Sequence, residues 1–508
     1  MKYKLIAALF VFLLVLTAHA AVLAAPVRIG LESRFKNLDA LSVVNKTITV
    51  GFEENGLFAA SCEIIADGMA FAPADFTYIR LDVVYDAIDS AAAMAATLKG
   101  SYSAIPALEQ TGRFAVWLAF QSEAEAVLES ALLPFPGSVV PSSSKRVVLK
   151  SGETELLVFG GLSNPQFTAE DYCRLSNERR YRGVIEISRN TGKLTAVNVL
   201  SMDEYLFGVI PSEMPSSWPA EALKAQAVAA RTYAFGRVNY HSADHYDLCD
   251  TTHCQVYLGV TNEAVSAEDA VNSTSGLMIY YNKKLAGAYY FASSGGYTEA
   301  SENVWTSAEP YLRAVPDLQE IGAKQWTRSF TLAELTALLS VSDPAMGTVT
   351  GVSVVSSPTS GRVQELRIAA SGGTKILSKE AIRTFFAASS GGSLDSRNFI
   401  VSGGGEVSSS FSITDGISAV MSDLKSLFAV SDSQSSALGG DVYALGADGT
   451  PVRLIMPPGS ESLGVTFVGK GAGHGVGLSQ CGARGMATAG SKFDEILKYY
   501  YTGVTIEP

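Results

Sequence analysis

Three histidines and two cysteines lie within fourteen residues near the middle of the chain. The segment HSADHYDLCDTTHCQVY carries His241, His245, Cys249, His253 and Cys254, and the whole chain has only five histidines and five cysteines. Thiolates and imidazoles together favour Zn²⁺, and four such ligands complete a tetrahedral structural site without an open position for water. We therefore predict a structural zinc held by Cys249, His253, Cys254 and His241, with His245 as the alternative fourth ligand. A Cys249–Cys254 disulfide beside surface histidines is the other interpretation, because exported proteins meet oxidising conditions.

Two helices are predicted on either side of the proline-rich connector that precedes this segment. Ser201 and Glu204 have capping-box spacing, which starts the first helix, and Pro211 should end it near Ile210 because proline is poorly accommodated inside a helix. Pro219 suits the first position of the second helix, where an amide hydrogen would have no partner. The second helix is rich in alanine, so neighbouring elements can pack closely on it, and we expect it to be a buried central helix.

Glu213 falls in the connector between the two predicted helices. It lies between Pro211 and Pro215, beside the apolar Met214 and Trp218. A carboxylate near apolar side chains has its pKa raised by desolvation, as a general acid working near neutral pH requires. On the residues alone, a solvated surface carboxylate is the ordinary alternative.

Two glycine-rich motifs follow, SSGGYTEASENVW at 293–305 and GKGAGHGVGLSQCGARGMA at 469–487. Glycines let backbone amides approach a ligand closely, although a turn without a function would look similar. The second motif contains His474, and its lysine precedes the glycines without a GK[ST] sequence, which excludes a phosphate-binding loop. In the first motif the residues able to bind a ligand are Ser294, Gly295, Gly296, Thr298, Glu299 and Glu302.

The run EYLFGVIPSEMPSSWPAEALKAQAVAARTYA at 204–234, followed by the two glycine-rich motifs in the same order, resembles the SpoIID/LytB family of bacterial cell-wall proteins. The likeness covers roughly residues 145–317 and 450–503. It implies an α+β fold in which antiparallel strands lead into the alanine-rich helix of a SpoIID-like catalytic region. Some sporulation D proteins with the CDTTHCQ signature hold a zinc, which agrees with the predicted metal site.

The resemblance also implies a reaction. A lytic transglycosylase of this kind cleaves glycan strands between N-acetylmuramic acid and N-acetylglucosamine and leaves a 1,6-anhydro end, with Glu213 as the acid and base. Predicted substrate-binding positions that match the family's motifs are Gln226, Arg231, Tyr233, Ser294, Gly295, Gly296, Thr298, Glu302, His474, Ser479 and Gln480. The implied partners are peptidoglycan glycan strands, together with a cell-wall amidase or membrane-bound engulfment proteins.

Two other functions remain open at this point. The LytB branch of the family is described as enhancing a separate amidase, so the chain could bind glycan or an amidase and catalyse nothing. A metallo-amidase that uses the zinc is the third hypothesis, and it would not depend on Glu213. The net charge of −12 at pH 7 argues against a nucleic-acid surface.

The N-terminal residues predict export. Residues 1–25 contain Lys2 and Lys4, a long apolar run and small residues at signal-peptidase spacing. We expect either a cleaved signal peptide or an uncleaved membrane anchor, and a protein that is secreted or held on the outer face of the cytoplasmic membrane.

Three further regions are predicted from composition and pattern. Residues 26–133 alternate strands and helices, as in a smaller N-terminal α/β domain, with a weak likeness to the glycan-binding SPOR domain. Residues 134–145 are rich in proline and serine and read as a linker. Residues 146–508 should form the SpoIID/LytB domain, with an inserted module at about 318–450.

Overall fold

The computed structural model describes residues 25–109, 112–161, 163–176, 179–190, 192–403 and 464–508, together with six short strands between 409 and 454. The predicted signal or anchor therefore lies, apart from Ala25, outside the described residues. The chain divides into two compact units, Met1–Gly287 with Ile506–Pro508, and Ala288–Thr505. Among the described residues, no helix has both the length and the apolar character needed to cross a lipid bilayer.

The first unit mixes helices with two large sheets. Its helices are α1 (Glu32–Phe35), α2 (Ile88–Leu98), α3 (Glu123–Leu132), α4 (Met202–Glu213), α5 (Ala220–Phe235) and α6 (Val265–Asn272). Its strands are β1 (Val27–Gly30), β2 (Leu41–Ser42), β3 (Thr47–Glu54), β4 (Leu57–Ile65), β5 (Met69–Pro73), β6 (Thr77–Tyr85), β7 (Ala104–Leu108), β8 (Phe114–Phe120), β9 (Gly137–Val140), β10 (Val147–Ser151), β11 (Thr154–Phe159), β12 (Gln166–Thr168), β13 (Cys173–Arg174), β14 (Arg180–Tyr181), β15 (Val184–Asn190), β16 (Lys193–Leu200), β17 (Leu248–Cys249), β18 (Met278–Tyr281) and β19 (Lys284–Leu285). This confirms the α+β class.

Two sheets of this unit pack against each other through aromatic side chains. A seven-stranded sheet has the order β17-β1-β16-β15-β12-β3-β4, and an eight-stranded sheet has the order β2-β5-β10-β11-β7-β8-β6-β9. Phe71 of β5 stacks on Phe167 of β12 with ring centroids 5.5 Å apart, and Phe52 of β3 meets Phe159 of β11 edge to face at 6.0 Å. Pairs of this kind add to the burial that holds stacked sheets together.

The predicted linker at 134–145 does not separate two domains. It contains β9, which pairs with β6, and both large sheets combine strands from before and after it. The prolines that suggested a linker flank an edge strand, a position where a missing amide hydrogen is tolerated. Composition correctly indicated an exposed segment. It did not indicate a domain boundary, because strands from both sides of the segment pair in the same sheets.

Part of the eight-stranded sheet has a compact topology of its own. The order of elements from β6 to β9 is β6-α2-β7-β8-α3-β9, and the four strands lie in the order β7-β8-β6-β9. This is the ferredoxin-like, split βαβ arrangement. The predicted α/β alternation is confirmed here, while the likeness to a SPOR domain stays a prediction.

The central helices follow the β15–β16 hairpin directly. Ser201 and Glu204 form the predicted capping box of α4. The predicted end near Ile210 is wrong, because α4 contains Pro211 and ends at Glu213, and the amide of Met214 still bonds the carbonyl of Ile210 at 2.8 Å. A proline lacks an N–H donor and crowds the carbonyl four residues earlier, which disfavours but does not prevent a short continuation of the helix to Glu213. Helix α5 is buried along most of its length, as predicted.

The second unit contains smaller sheets and four helices within its described part. The helices are α7 (Leu332–Ser342), α8 (Ala381–Thr384), α9 (Gln480–Thr488) and α10 (Phe493–Tyr500). The strands are β20 (Tyr290–Phe291), β21 (Gln325–Thr331), β22 (Val349–Ser356), β23 (Glu365–Ala370), β24 (Gly373–Ser378), β25 (Phe399–Gly403), β26 (Ser409–Ser412), β27 (Ser418–Met421), β28 (Phe428–Ser431), β29 (Gln434–Ala437), β30 (Val442–Leu445), β31 (Pro451–Leu454), β32 (Gly464–Lys470) and β33 (Leu478–Ser479), and β34 (Thr505–Glu507) crosses the boundary between the units.

The predicted inserted module shares a core with the strand that returns from it. Strands β21, β32 and β25 form one sheet, and β22, β23 and β24 form a second. Buried side chains from both sheets and from α7, among them Leu335, Leu366 and Phe467, belong to one hydrophobic cluster. The module therefore folds around β32, which leads into the second glycine-rich motif.

We predict that Gly208→Ala destabilises the first unit. A Cβ at this position of α4 would lie 2.7 Å from the Tyr257 ring and 2.8 Å from the Gly259 carbonyl oxygen. Alanine favours helix by about 1 kcal/mol over glycine, but forced overpacking costs about 1–3 kcal/mol, so we expect a net loss. Urea unfolding measures the difference, with Gly100→Ala as a control because no atom lies within 4 Å of its added Cβ. A more stable Gly208→Ala protein would contradict this packing.

Candidate functional site

Four of the five predicted metal donors converge. One ligand atom each of His241, Cys249, His253 and Cys254 lies within 4.8 Å of all the others. Nε2 of His241 is 3.3 Å from Sγ of Cys254, and Nδ1 of His253 is 3.8 Å and 3.7 Å from the sulfurs of Cys249 and Cys254. His245 is exposed, has a left-handed backbone with φ of 66°, and is not in the cluster. Of the two alternatives for the fourth donor, the structure therefore favours His241.

The chemistry and spacing of this donor set fit zinc. Zn–S bonds of about 2.3 Å and Zn–N bonds of about 2.0 Å in a tetrahedron give ligand-to-ligand edges of about 3.3–3.8 Å. The three nitrogen-to-sulfur distances fall in that range. Both thiols are free in this structure. The close approach of Cys254, helped by Thr251, lowers the pKa of Cys249, and the same pairing raises the pKa of Cys254, so the metal-free pair shares a proton that a bound metal would displace.

Residues 241–257, the metal segment, are docked on the N-terminal strand β1. Strand β17 pairs in parallel with β1, which places Gly30 opposite Cys249. The carboxylate of Asp247 accepts from the amide of Arg28 at 2.9 Å, and that of Asp250 accepts from the amide of Ser33 at 2.9 Å. Sequence reasoning missed these contacts, because more than 200 residues separate the partners and no local pattern marks them.

A buried tyrosine links the metal segment to the central helices. The hydroxyl of Tyr205, on α4, lies 3.1 Å from the side-chain oxygen of Gln255, whose amide donates to the carbonyl of Ala230 on α5 at 3.2 Å. Burial raises the pKa of Tyr205 well above its usual value, and the nearby Cys254 and Glu213 add to the shift. Gln255, which follows Cys254 in the chain, thus connects α4 with α5.

Glu213 is the last residue of α4 rather than a residue of the connector. Its side chain is partly buried, and the following Met214 is buried. Its charge acts on Tyr205, which places the carboxylate in the same neighbourhood as the cysteines. Carbonyl groups point outward at the C-terminal end of a helix, and their dipoles disfavour a negative charge there. Glu213 thus combines partial burial with a position at the carbonyl end of a helix.

The three predicted substrate contacts on α5 are largely enclosed. Gln226 is fully buried. Arg231 is 2% exposed and donates to Asp203 of α4 at 3.0 Å and to the carbonyl of Val271 of α6 at 3.2 Å, so it holds α4, α5 and α6 together. Tyr233 is partly buried, with the Arg237 guanidinium 4.5 Å from its ring centroid. Of the three, Tyr233 retains accessible surface.

In the second unit, the first glycine-rich motif encloses a carboxylate of the protein itself. The amides of Ser294, Gly295 and Gly296 donate to the two oxygens of Glu320 at 2.8–3.1 Å, and the hydroxyl of Ser293 donates at 2.6 Å. Gly295 and Gly296 have φ of 70° and 105°, a backbone that glycine adopts easily. Sequence reasoning missed Glu320. The amides predicted to face a substrate therefore already have an anion, and a role of this loop in binding stays a prediction.

The two polar residues after the glycines also have partners within the second unit. Thr298 is buried, and its hydroxyl accepts from the amide of Val315 at 2.8 Å. Glu302 is partly exposed and accepts from the guanidinium of Arg313 at 2.6 Å. Glu302 is therefore the more accessible of the two.

The second glycine-rich motif builds a closely packed turn. His474 contacts the rings of Phe291 and Trp305 at 5.6 Å and 5.2 Å, and its Nδ1 accepts from the amide of Val476 at 3.0 Å. Burial, with Arg383 and Arg362 nearby, lowers the pKa of His474 to about 3, so it is neutral in the folded protein.

Ser479 and Gln480 start the helix that follows this turn. Both are buried, and Ser479 caps α9 by accepting from the amide of Gly482 at 3.2 Å. Burial and capping give both residues a structural role, and their predicted contact with a substrate stays a prediction.

Comparison with known proteins places this site in a family. The model of the stage II sporulation protein family, SpoIID, matches residues 190–281, which contain Glu213 and the four metal donors. A second model, a domain of unknown function (DUF8618), matches residues 320–416.

Curated relatives extend the match along the chain. The stage II sporulation protein D of Bacillus subtilis is 30% identical over 61% of this chain and 75% of its own length. The amidase enhancer of the same organism is 33% identical over 59% of this chain, which spans only 40% of that relative. An uncharacterised protein of Brachyspira hyodysenteriae is 29% identical over 67% of this chain and 75% of its own. The chain belongs to the SpoIID/LytB family.

We predict that the metal cluster binds one Zn²⁺ per chain through His241 and not through His245. His241→Ala and Cys254→Ser should lose the bound metal, whereas His245→Ala should keep it, because His245 faces solvent. Elemental analysis of purified variants, with a thiol titration after chelation, measures both metal and free cysteines. A disulfide in place of two titratable thiols would contradict the assignment.

We predict that His474 makes stability depend on pH. Its pKa is about 3 in the folded protein, against an ordinary value of 6.5, so between these values the unfolded chain binds a proton that the folded chain does not. Stability should fall as the pH falls from 6.5, by up to about 1.4 kcal/mol per pH unit for this one proton. His474→Asn should flatten the slope of urea-unfolding free energy between pH 6.5 and 5, and His245→Asn should not. Equal slopes in wild type and His474→Asn would contradict a partly buried, neutral histidine.

Proposed function

We propose that this protein is a peptidoglycan lytic transglycosylase with a cell-wall role, in sporulation or in wall remodelling. The observation that carries the proposal is the position of Glu213. It is a partly buried carboxyl group at the carbonyl end of α4, inside the segment that matches the SpoIID family, and its charge, like that of Cys254, acts on the buried Tyr205. A second carboxylate is not required for this chemistry.

The reaction uses one carboxyl group twice. Protonated Glu213 donates to the departing glycosidic oxygen as the bond from that oxygen to C1 of N-acetylmuramic acid breaks. The C6 hydroxyl of the same sugar then closes on C1, and the Glu213 carboxylate takes the proton that this hydroxyl releases. The product is a 1,6-anhydro end, no water is consumed, and the acid is regenerated. A hydrolysing glycosidase would instead need a second carboxylate at a fixed separation.

We also propose that the four-donor cluster holds a structural zinc. Cys249, Cys254, His241 and His253 would fill all four positions, so the ion would have no place for a reactive water. Its contribution is to fix the metal segment, and through Gln255 the packing of Tyr205 against α5. This favours the glycan-cleaving hypothesis over the metallo-amidase.

Substrate and location follow from the same proposal. The substrate class is the glycan strand of peptidoglycan, and the protein acts outside the cytoplasmic membrane, either secreted or anchored there. Among the predicted contacts, Tyr233, Gly296, Glu302 and His474 each keep some accessible surface, whereas Arg231 and Gln226 support α5 from inside.

A second candidate function is favoured by one comparison. The relative named amidase enhancer has the higher identity of the two Bacillus subtilis relatives described above, over a similar share of this chain. A protein of that kind would bind wall glycan or a partner amidase without cleaving strands.

We predict that Glu213→Gln abolishes strand cleavage while leaving the fold intact. The amide cannot donate the catalytic proton, and loss of general acid catalysis costs about 10²–10⁴-fold in rate. Purified protein is incubated with glycan strands stripped of stem peptides, and the products are identified by mass spectrometry. Glu221→Gln is the matched control, because Glu221 on the next helix pairs with Lys224 at 3.0 Å.

The products distinguish the candidate functions. Strands with 1,6-anhydro ends from wild type, and none from Glu213→Gln, support transglycosylation. Reducing ends indicate hydrolysis and overturn the mechanism. Strands that stay intact with wild type, while a cell-wall amidase becomes more active in its presence, support the enhancer function instead.

A further inference from the structure

The two ring nitrogens of His241 face different surroundings. Nε2 points into the metal cluster, 3.3 Å from Sγ of Cys254. Nδ1 points the other way, 3.8 Å from a carboxylate oxygen of Glu32 and 3.8 Å from one of Asp244. Both distances are longer than a hydrogen bond but short enough that a small side-chain rotation closes either one. Either carboxylate could therefore accept a hydrogen bond from Nδ1–H when Nε2 binds a metal.

Glu32 is the better held of the two carboxylates. Lys36 donates to it at 2.8 Å, and the hydroxyl of Tyr246 also donates to it. The Tyr246 ring in turn stacks on the His241 ring, with centroids 5.2 Å apart and planes 26° apart. The side chain of Glu32 is 21% exposed, whereas that of Asp244 is 45% exposed. Burial and fixed partners make Glu32 the preorganised acceptor.

Close backbone packing holds this arrangement in place. A Cβ on Gly30 would lie 2.5 Å from the Tyr246 ring, so only glycine lets that ring pack against β1. Glu32 follows two residues later, at the start of α1. The strand that pairs with the metal segment therefore also delivers the carboxylate to His241.

We propose that Glu32 is a positioning residue of the metal centre, which orients His241 and fixes the tautomer that leaves Nε2 free to bind the ion. Metal-binding histidines usually donate their second ring N–H to such an acceptor, and removing the acceptor lowers metal affinity about 10–100-fold. Glu32 lies outside residues 190–281, which match the family model, so the N-terminal segment completes a centre that the motif alone does not specify. This inference rests on the proposed zinc and is independent of glycan cleavage.

The test measures Zn²⁺ affinity of the purified protein by competition with a chromophoric chelator. Glu32→Ala should bind zinc about 10–100-fold more weakly than wild type, and Glu32→Gln should lose less, because its amide oxygen still accepts a hydrogen bond. Asp244→Asn and Ser33→Ala are the matched controls and should change affinity little. Ser33 docks the same segment through Asp250 but does not approach His241.

A spectroscopic measurement separates positioning from a loss of folding. Nitrogen-15 NMR of histidine side chains in the zinc-loaded wild type should show His241 protonated at Nδ1, and Glu32→Ala should shift that resonance. Equal affinity of Glu32→Ala and wild type would overturn the inference, as would an equal loss in Asp244→Asn or Ser33→Ala. If wild type binds no zinc, the zinc site itself fails, and the outcome of the glycan assay is unaffected.

Discussion

The pairing of β1 with β17 is the contact on which the candidate site depends. It places Gly30 beside Cys249, and the carboxylates of Asp247 and Asp250 fasten the turn on either side to the backbone of β1 and α1. Gln255, in the same segment, contacts both Tyr205 of α4 and Ala230 of α5 and so joins the two helices. A short N-terminal strand thus pairs with the segment that carries the four candidate donors, and Gln255 of that segment contacts the helix that ends at Glu213.

The parts of this structure that could be predicted from the sequence are the local ones. The capping box of Ser201 and Glu204, the buried alanine-rich helix and the convergence of two cysteines with two histidines all follow from residue type and short spacing. The end of α4 was missed because a proline near the last turn disfavours but does not prevent a short continuation of the helix. The domain boundary predicted at 134–145 was wrong because proline and serine indicate the exposure of an edge strand, whereas pairing with β6 decides where that strand lies.

The remaining differences come from contacts between distant parts of the chain. The carboxylate of Glu320 accepts hydrogen bonds from the amides of the first glycine-rich loop, which lie 24 to 26 residues earlier in the chain. Arg362 donates to the carbonyl of Ser294 at 2.8 Å. Both residues come from the inserted module, so the module supports the loop that precedes it. No periodicity or motif in the sequence marks either residue for this role. The glycines were recognisable, but the group that they bind was not.

The central claim is that one carboxyl group suffices, because the sugar supplies its own nucleophile. This can be tested with isotopic water: wild-type protein and stripped glycan strands are incubated in H₂¹⁸O, and the new ends are analysed by mass spectrometry. The account predicts 1,6-anhydro ends that carry no ¹⁸O, since the C6 hydroxyl rather than water closes on C1. New reducing ends that carry ¹⁸O would contradict it, because water would then be the nucleophile and a second group would have to activate it.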